Sequence, residues 1–231
     1  MEVRIIIIKD ISIEIPKYEV KKELGYQKQT ESNSKIEKMI SDTINLATSL
    51  LEPKGKYVIL EKIDIDQDRI SLGAEKLTFQ SQDIADLLAD QEEVALLAVT
   101  IGGKLEKKVN QLFTEGELTK ATTLDAVGSA AVEEVANRIT KLISEEALAK
   151  GLSHLTMRFS PGYGDTTLDI QPQLLILLGG EELGITLSSG YILDPQKSIT
   201  ALIGLGNVES DRPSCDFNCQ NCEFEICVYD K

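Results

Sequence analysis

Two groups of residues in this chain could do chemistry. The first is the run Arg158-Phe-Ser-Pro-Gly-Tyr163. A predicted strand delivers an arginine and stops at Pro-Gly, with a tyrosine next. Pro161 fixes φ and Gly162 permits φ > 0, so the backbone turns sharply and its amides and carbonyls become available. An arginine at a strand end can grip a carboxylate through two parallel hydrogen bonds. A tyrosine can stack on a planar base or donate its hydroxyl. The combination suits a small ligand with a carboxylate and an aromatic ring, although taken alone such a turn is more often plain structure. The second group is Cys215-x3-Cys219-x2-Cys222-x4-Cys227. Four thiolates within loop reach suit tetrahedral zinc or an iron–sulfur cluster. The bland alternative is a redox-active or simply unstructured tail.

Composition narrows the field. The 231 residues carry 24 Lys and Arg against 38 Asp and Glu, a formal charge of −14. Nucleic acid and anionic lipid would repel such a chain, so neither is expected as a partner. The single histidine, His154, excludes a three-His zinc site and a His–His metal motif. At 42% hydrophobic residues the chain is ordinary globular material. No stretch approaches the ~20 apolar residues that span a bilayer, and Ile5–Ile8 is too short for a signal-peptide core. A soluble, cytoplasmic protein is expected, in which reduced thiols are better read as ligands than as disulfides.

The elements that would position these groups follow from periodicity. Val3–Ile8 reads as a buried strand and Ile11, Ile13 and Ile15 as a half-exposed one. Residues 27–34 read as a polar linker. Asn33 or Ser34 then caps a helix whose apolar positions are Ile36, Ile40, Ile44, Ala47 and Leu51. Tyr57–Ile65 and Lys76–Phe79 read as strands, and Ile84–Leu88 as a short helix. Val94–Ile101 is a strong strand, and Gly102-Gly103 leads into a helix through Phe113. That glycine pair could cradle phosphate, or be a tight turn. The absence of Lys-Ser/Thr at P-loop spacing argues against a nucleoside triphosphate site. A long helix over Leu118–Lys150 buries Val127, Ala131, Val135, Ile139 and Leu142. Its small residues Gly128, Ser129, Ala130 and Ala131 allow close approach, more simply of a packed neighbour than of a ligand. Leu152–Phe159 reads as a strand, Leu168–Leu178 as a helix, and Ile185–Leu187 and Ser198–Leu205 as strands. Without a strict βαβ rhythm the class is α+β, with a mixed, largely antiparallel sheet flanked by helices.

With these elements in place, the chain resembles the activation (reactivation) domain of cobalamin-dependent methionine synthase, whose hallmark is Arg-x-x-Pro-Gly-Tyr. The resemblance rests on Arg158–Tyr163, on Thr123–Glu133 in the long helix, and on Leu183–Ser188, Tyr191, Pro195 and Ser198–Gly204 beyond the hallmark. It covers residues 93–205 well and 1–92 weakly, within an expected domain over 1–206. Residues 207–231 form a separate acidic four-cysteine tail. The resemblance implies an S-adenosylmethionine site. Arg158 would hold the methionyl carboxylate, the backbone of Ser160 would meet the adenine edge, Gly162 would shape the turn, and Tyr163 would pack beside the ligand. Glu133 or Glu134, the former favoured, would face the amino or sulfonium charge; the bland reading of both is a solvated helix face. The chain departs from the pattern after Tyr163, where Gly164-Asp165 follows at once. The N-terminal acid that contacts the ligand in the family falls on neither Asp64 nor Asp66, nor on any other residue of this chain.

The function implied is an accessory subunit. It would support reductive methylation of the cobalamin of a partner methyltransferase, methionine synthase first, in methionine biosynthesis. The cobalt would come from the partner, because His154 lacks the Asp-x-His-x-x-Gly context of a cobalt ligand, and the chain is too short for a folate barrel. No general base is needed, since methyl transfer from a sulfonium to Co(I) needs alignment, not proton transfer. The cysteines also match Cys-x3-Cys-x2-Cys, the radical S-adenosylmethionine signature, but Asn221 and their place in the tail argue against it. A cluster there would relay electrons, zinc would only fold the tail, and the acidic tail could instead dock an electron-transfer protein or the corrinoid partner. The other readings are an iron–sulfur redox protein that activates a corrinoid protein, and a non-catalytic module with a zinc knuckle.

Overall fold

In a computed structural model, residues 5–9, 11–26, 34–61, 63–74 and 76–207 are described. The chain runs β1 (Ile5–Lys9), α1 (Lys17–Glu23), α2 (Ser34–Thr48), β2 (Lys54–Glu61), β3 (Ile63–Asp66), β4 (Arg69–Leu72), β5 (Leu77–Gln80), α3 (Gln82–Leu88) and β6 (Glu93–Thr100). It continues through α4 (Lys104–Thr114), α5 (Leu118–Ala149), β7 (His154–Leu155), a 3-10 turn (Leu168–Ile170), α6 (Gln171–Leu178), α7 (Gly180–Leu183), β8 (Thr186–Leu187), β9 (Leu193–Asp194) and β10 (Ser198–Gly206). The fold is α+β, as the pattern predicts.

A five-stranded sheet, ordered β1-β2-β6-β10-β7, has every neighbouring pair antiparallel. The continuous apolar character of β6 follows from its place at the centre. Its odd-numbered residues Ala95, Leu97 and Val99 join one core with α1, α2, α4 and α5. Its even-numbered residues Val94, Leu96 and Ala98 join another with β4, β5, α3 and α6. Successive side chains of a strand point to opposite faces, so helices bury one face while a small sheet and helices bury the other. Residues β3-β4-β5 form that small antiparallel sheet. The long helix α5 lies on the first face, with Val127, Ala131, Val135 and Ile139 fully buried. Leu142 is only partly buried, and Ile143 takes the inward place.

Several expectations need correction. Ile11–Ile15 belongs to no strand; Ile11 and Ile15 are buried and Ser12 and Glu14 exposed, so the alternation is of burial without regular secondary structure. Helix α1 was not foreseen, because Val20 is its only fully buried residue and seven residues show little periodicity. The stretch 57–65 divides into β2 of the large sheet and β3 of the small one, and β4 follows unforeseen. The expected strand over 152–159 is reduced to β7 and one bridge, Phe159 to Leu202. Between them the Thr156 hydroxyl, and not a carbonyl, accepts the Gly204 N–H at 2.8 Å. The ladder is interrupted there, immediately before Arg158. The helix expected over 168–178 begins as a 3-10 turn and becomes α-helical at Gln171.

The small residues of α5 accommodate neighbours. A Cβ on Gly128 would lie 2.7 Å from Leu105 and 3.4 Å from the Lys197 side chain. The Gly102-Gly103 turn is likewise a turn: Gly102 sits at φ 74° and donates to Thr100 Oγ1 at 3.1 Å. Glu52 lies against it and pairs with Lys104 at 3.0 Å. A carboxylate beside the loop does not suit a phosphate cradle. Among the described residues no helix is long and apolar enough to cross a membrane.

Candidate functional site

Arg158 leaves the interrupted edge of the large sheet and turns toward the face covered by α5. Its neighbour Phe159 bridges Leu202 and packs with the opposite core, so strand alternation sends the arginine the other way. The guanidinium meets three side chains of one stripe of α5, spaced four and three residues apart. Nη2 donates to Glu133 Oε2 at 2.8 Å, and Nη1 donates to Asn137 Oδ1 at 2.9 Å and Thr140 Oγ1 at 3.2 Å. The arginine side chain is only 10% exposed, whereas Glu133 is 52% exposed. The fork is therefore anchored inward by neutral acceptors and neutralised at its outer end by a half-solvated carboxylate. A buried guanidinium needs such a counter-charge.

Glu134 does not reach the arginine. It accepts from Asn137 Nδ2 at 3.5 Å, and so helps aim the Asn137 oxygen toward Arg158. The 133–137–140 spacing was visible in the sequence, but Asn137 and Thr140 carried no signal of their own until the arginine was placed over them.

An acid from the N-terminal region also reaches this neighbourhood. Glu23, at the end of α1, keeps part of its side chain in solvent. Burial of the carboxyl pushes it above its ordinary range, Glu133 adds to the rise, and Lys197 opposes it. Lys197 is itself held by Asp125 at 2.9 Å and Ser129 Oγ at 2.8 Å. Sequence reading missed Glu23 because the helix that carries it was missed.

The turn after Arg158 is fixed by its own backbone and by α3. The Ser160 carbonyl accepts the Tyr163 N–H at 3.3 Å, Tyr163 O accepts from Thr166 N at 3.1 Å, and Gly162 N donates to Thr166 O at 2.9 Å. Pro161 is buried; Gly162 has φ 92° and a Leu168 methyl lies 3.0 Å from where its Cβ would be. Tyr163 presents its ring outward, 51% exposed. Asp165 then clamps the loop: its carboxylate accepts from Ser81 Oγ at 2.5 Å and from Gln82 N at 2.7 Å. The Ser81 hydrogen bond first, with the backbone donor of Gln82 adding to it, holds the Asp165 carboxyl below the usual range against the opposing effect of desolvation. Thr166 donates to Ser81 Oγ at 2.9 Å, and Ser81 Oγ accepts from Ile84 N at 3.0 Å as the cap of α3. Gly164, at φ 55°, packs so closely on the Asp83 carboxylate that a side chain would collide with it.

The arrangement thus brings Arg158 and Glu133 together, with Glu134 one contact removed through Asn137, and the Ser160–Tyr163 turn follows Arg158 directly along the chain. It offers a fixed cation, a neighbouring carboxylate and an exposed aromatic ring. His154 lies in β7 opposite Gly206, and its buried Nε2 has no hydrogen-bond partner among the described residues. Cys215, Cys219, Cys222 and Cys227 lie outside the described residues. Among the described residues no three His, Cys, Asp or Glu gather as a metal site.

No family model and no curated protein sequence matches the chain. Among solved structures it is similar to the MetH reactivation domain, a crystal structure bound to AdoHcy, with a TM-score of 0.66 and 12% identity. The match covers 92% of this chain and 81% of that one. The chain therefore shares the fold of a methionine synthase reactivation domain.

Proposed function

We propose that this protein is an S-adenosylmethionine-binding reactivation subunit. It would present the methyl donor to a cobalamin held by a partner methyltransferase, methionine synthase first, so that oxidised cobalt is returned to the methylated state. The observation that carries this reading is the Arg158 fork, pre-set by Asn137 and Thr140 at the mouth of the Pro161-Gly162-Tyr163 turn. A pre-organised guanidinium binds a carboxylate with little further ordering cost. In this reading Arg158 takes the methionyl carboxylate, the Ser160 and Gly162 backbone borders the adenine, and Tyr163 packs beside it. Glu133, with Glu23 and Glu134 near by, supplies negative potential for the ammonium and sulfonium. Opposite charges at close range in a partly dry site attract strongly. The chain's own role is alignment of the methyl group, and the cobalt nucleophile belongs to the partner.

The same reading takes residues 1–206 as the binding domain and the tail from 207 as an addition. The tail cysteines would bind zinc or an iron–sulfur cluster, the latter as a relay from an electron-transfer protein. Calorimetry with S-adenosylmethionine tests the central claim. Wild type should bind, and Arg158→Ala should lose at least a hundredfold in affinity. Arg158→Lys keeps the charge without the fork and should lose at least tenfold while melting close to wild type. No heat with wild type, or equal binding by both variants, would end the proposal.

A further inference from the structure

Resting on the reading of Arg158 as the group that takes the ligand, we infer that Thr156 is a positioning residue for it. The Thr156 hydroxyl holds a one-residue bulge in the sheet edge, and that bulge decides which face of the sheet Arg158 addresses.

The register carries the inference. β7 pairs with β10 through His154 with Gly206 and Leu155 with Leu205. Continued without a break, that register would set Arg158 opposite Leu202. The structure sets Phe159 there instead, with backbone hydrogen bonds of 2.9 Å in both directions. Four steps from Leu155 to Phe159 thus face three from Leu205 to Leu202, which is one extra residue on the edge segment. Residues directly opposite in an antiparallel pair share a face, and a slip of one residue reverses every side chain beyond it. Leu202 belongs to the apolar core that also holds Leu88 and Leu96. In the unbroken register Arg158 would meet that core, where an unpaired guanidinium is very costly. The extra residue gives the place to Phe159 and turns Arg158 to Glu133, Asn137 and Thr140 of α5.

A bulge leaves a ladder group without its regular partner. Here that group is the N–H of Gly204. Thr156 N donates to Gly204 O at 3.0 Å, and the Thr156 hydroxyl accepts the Gly204 N–H at 2.8 Å while donating to Met157 O at 3.1 Å. Thr156 is 3% exposed, which leaves little room for water to replace its hydroxyl. Gly204 completes the fit. A Cβ there would lie 2.9 Å from Thr156 Cγ2, 2.9 Å from a Leu88 methyl and 2.6 Å from Gln91 Cγ. Thr156 therefore acts through the backbone that leads to Arg158, not through contact with a ligand.

Thr156→Val keeps the branched shape and removes the hydroxyl; Thr156→Ser keeps the hydroxyl. Phenylglyoxal labelling of the full chain, read by peptide mass spectrometry, reports how firmly Arg158 is held without any ligand, with exposed Arg69 as the reference. Arg158 should react about fivefold faster in Thr156→Val, through local opening of the edge, and at the wild-type rate in Thr156→Ser. Affinity for S-adenosylhomocysteine should fall about tenfold in Thr156→Val, as pre-organisation is lost, and stay near the wild-type value in Thr156→Ser. In an Arg158→Ala background the valine substitution should weaken binding no further, a coupling that a merely structural role would not produce. Unchanged Arg158 labelling in Thr156→Val, an equal rise in Thr156→Ser, or an affinity loss that persists without Arg158 would overturn the inference. So would loss of the fold in Thr156→Val, seen by circular dichroism, because the role assigned is local. Absence of S-adenosylhomocysteine binding by wild type would end the ligand reading and leave Arg158 labelling to decide the role of Thr156.

Discussion

Ser81→Ala should loosen the ligand loop from its anchor although Ser81 lies outside the turn. Its hydroxyl, 3% exposed, serves three partners: it caps α3 through Ile84 N, donates to Asp165, and accepts from the buried hydroxyl of Thr166. Loss of an N-cap costs about 1 kcal/mol. Stranding the Thr166 hydroxyl costs about 1 kcal/mol more. The Asp165 bond is charge-assisted, but that carboxylate is solvent-exposed, so screening holds its share to about 0.5 kcal/mol. The expected loss is about 2.5 kcal/mol, or a melting point roughly 5–10 °C lower for a domain of this size. Urea unfolding with an unchanged m-value measures it. The pH dependence has a definite sign. Asp165 is depressed in the folded state, so its contribution is present above the ordinary carboxylate value of about 4 and is lost as pH falls through its lower folded value. The gap between wild type and Ser81→Ala should therefore narrow in acid. A loss below about 0.5 kcal/mol, or strict additivity with Asp165→Asn in a double-mutant cycle, would refute the clamp.

Glu23→Gln should be at least as stable as wild type at neutral pH. Its carboxyl is raised, so the folded state holds that proton more tightly than the unfolded one, and wild-type stability falls as pH rises through the raised value. The glutamine variant should lack that slope, and a wild-type slope persisting in the variant would refute the assignment. For the tail, metal analysis and a visible spectrum of anaerobically purified full chain should show zinc or an iron–sulfur chromophore. A chain ending at Asn207 should lose that metal and keep the melting point. Retention of the metal by the shorter chain would contradict the assignment to Cys215, Cys219, Cys222 and Cys227.

What could be read in advance depended on how local the cause was. The strands β6 and β10 and the helix α5 announce themselves because burial on two faces, or along one long stripe, leaves runs of Val, Leu, Ile and Ala. The turn at Pro161-Gly162 was legible because those two residues restrict or release φ by themselves. The pairing of Arg158 with Glu133 is different in kind. Twenty-five residues separate them, and the contact exists because β7 ends early and Thr156 supplies an acceptor that a regular ladder would have taken from the backbone. The Ser81–Asp165 clamp spans 84 residues and rests on short polar side chains common in any loop. Glu23 was hidden by a helix with one fully buried residue. The resemblance supplied candidate roles for Arg158 and Glu133 one at a time, and the ion pair between them is what the structure adds.

The segment from Arg158 to Thr166 is a strap between two layers. One end is bolted to α5 on one side of the large sheet, and the other to α3 on the opposite side. Any sliding of one layer past the other must stretch or bend that strap, so the segment that would carry the ligand also registers the alignment of the whole molecule. A molecule that tightens the strap at Arg158 should slow amide exchange at Ile84 and Ala85 of α3, whose N–H groups bond to Ser81, without touching them.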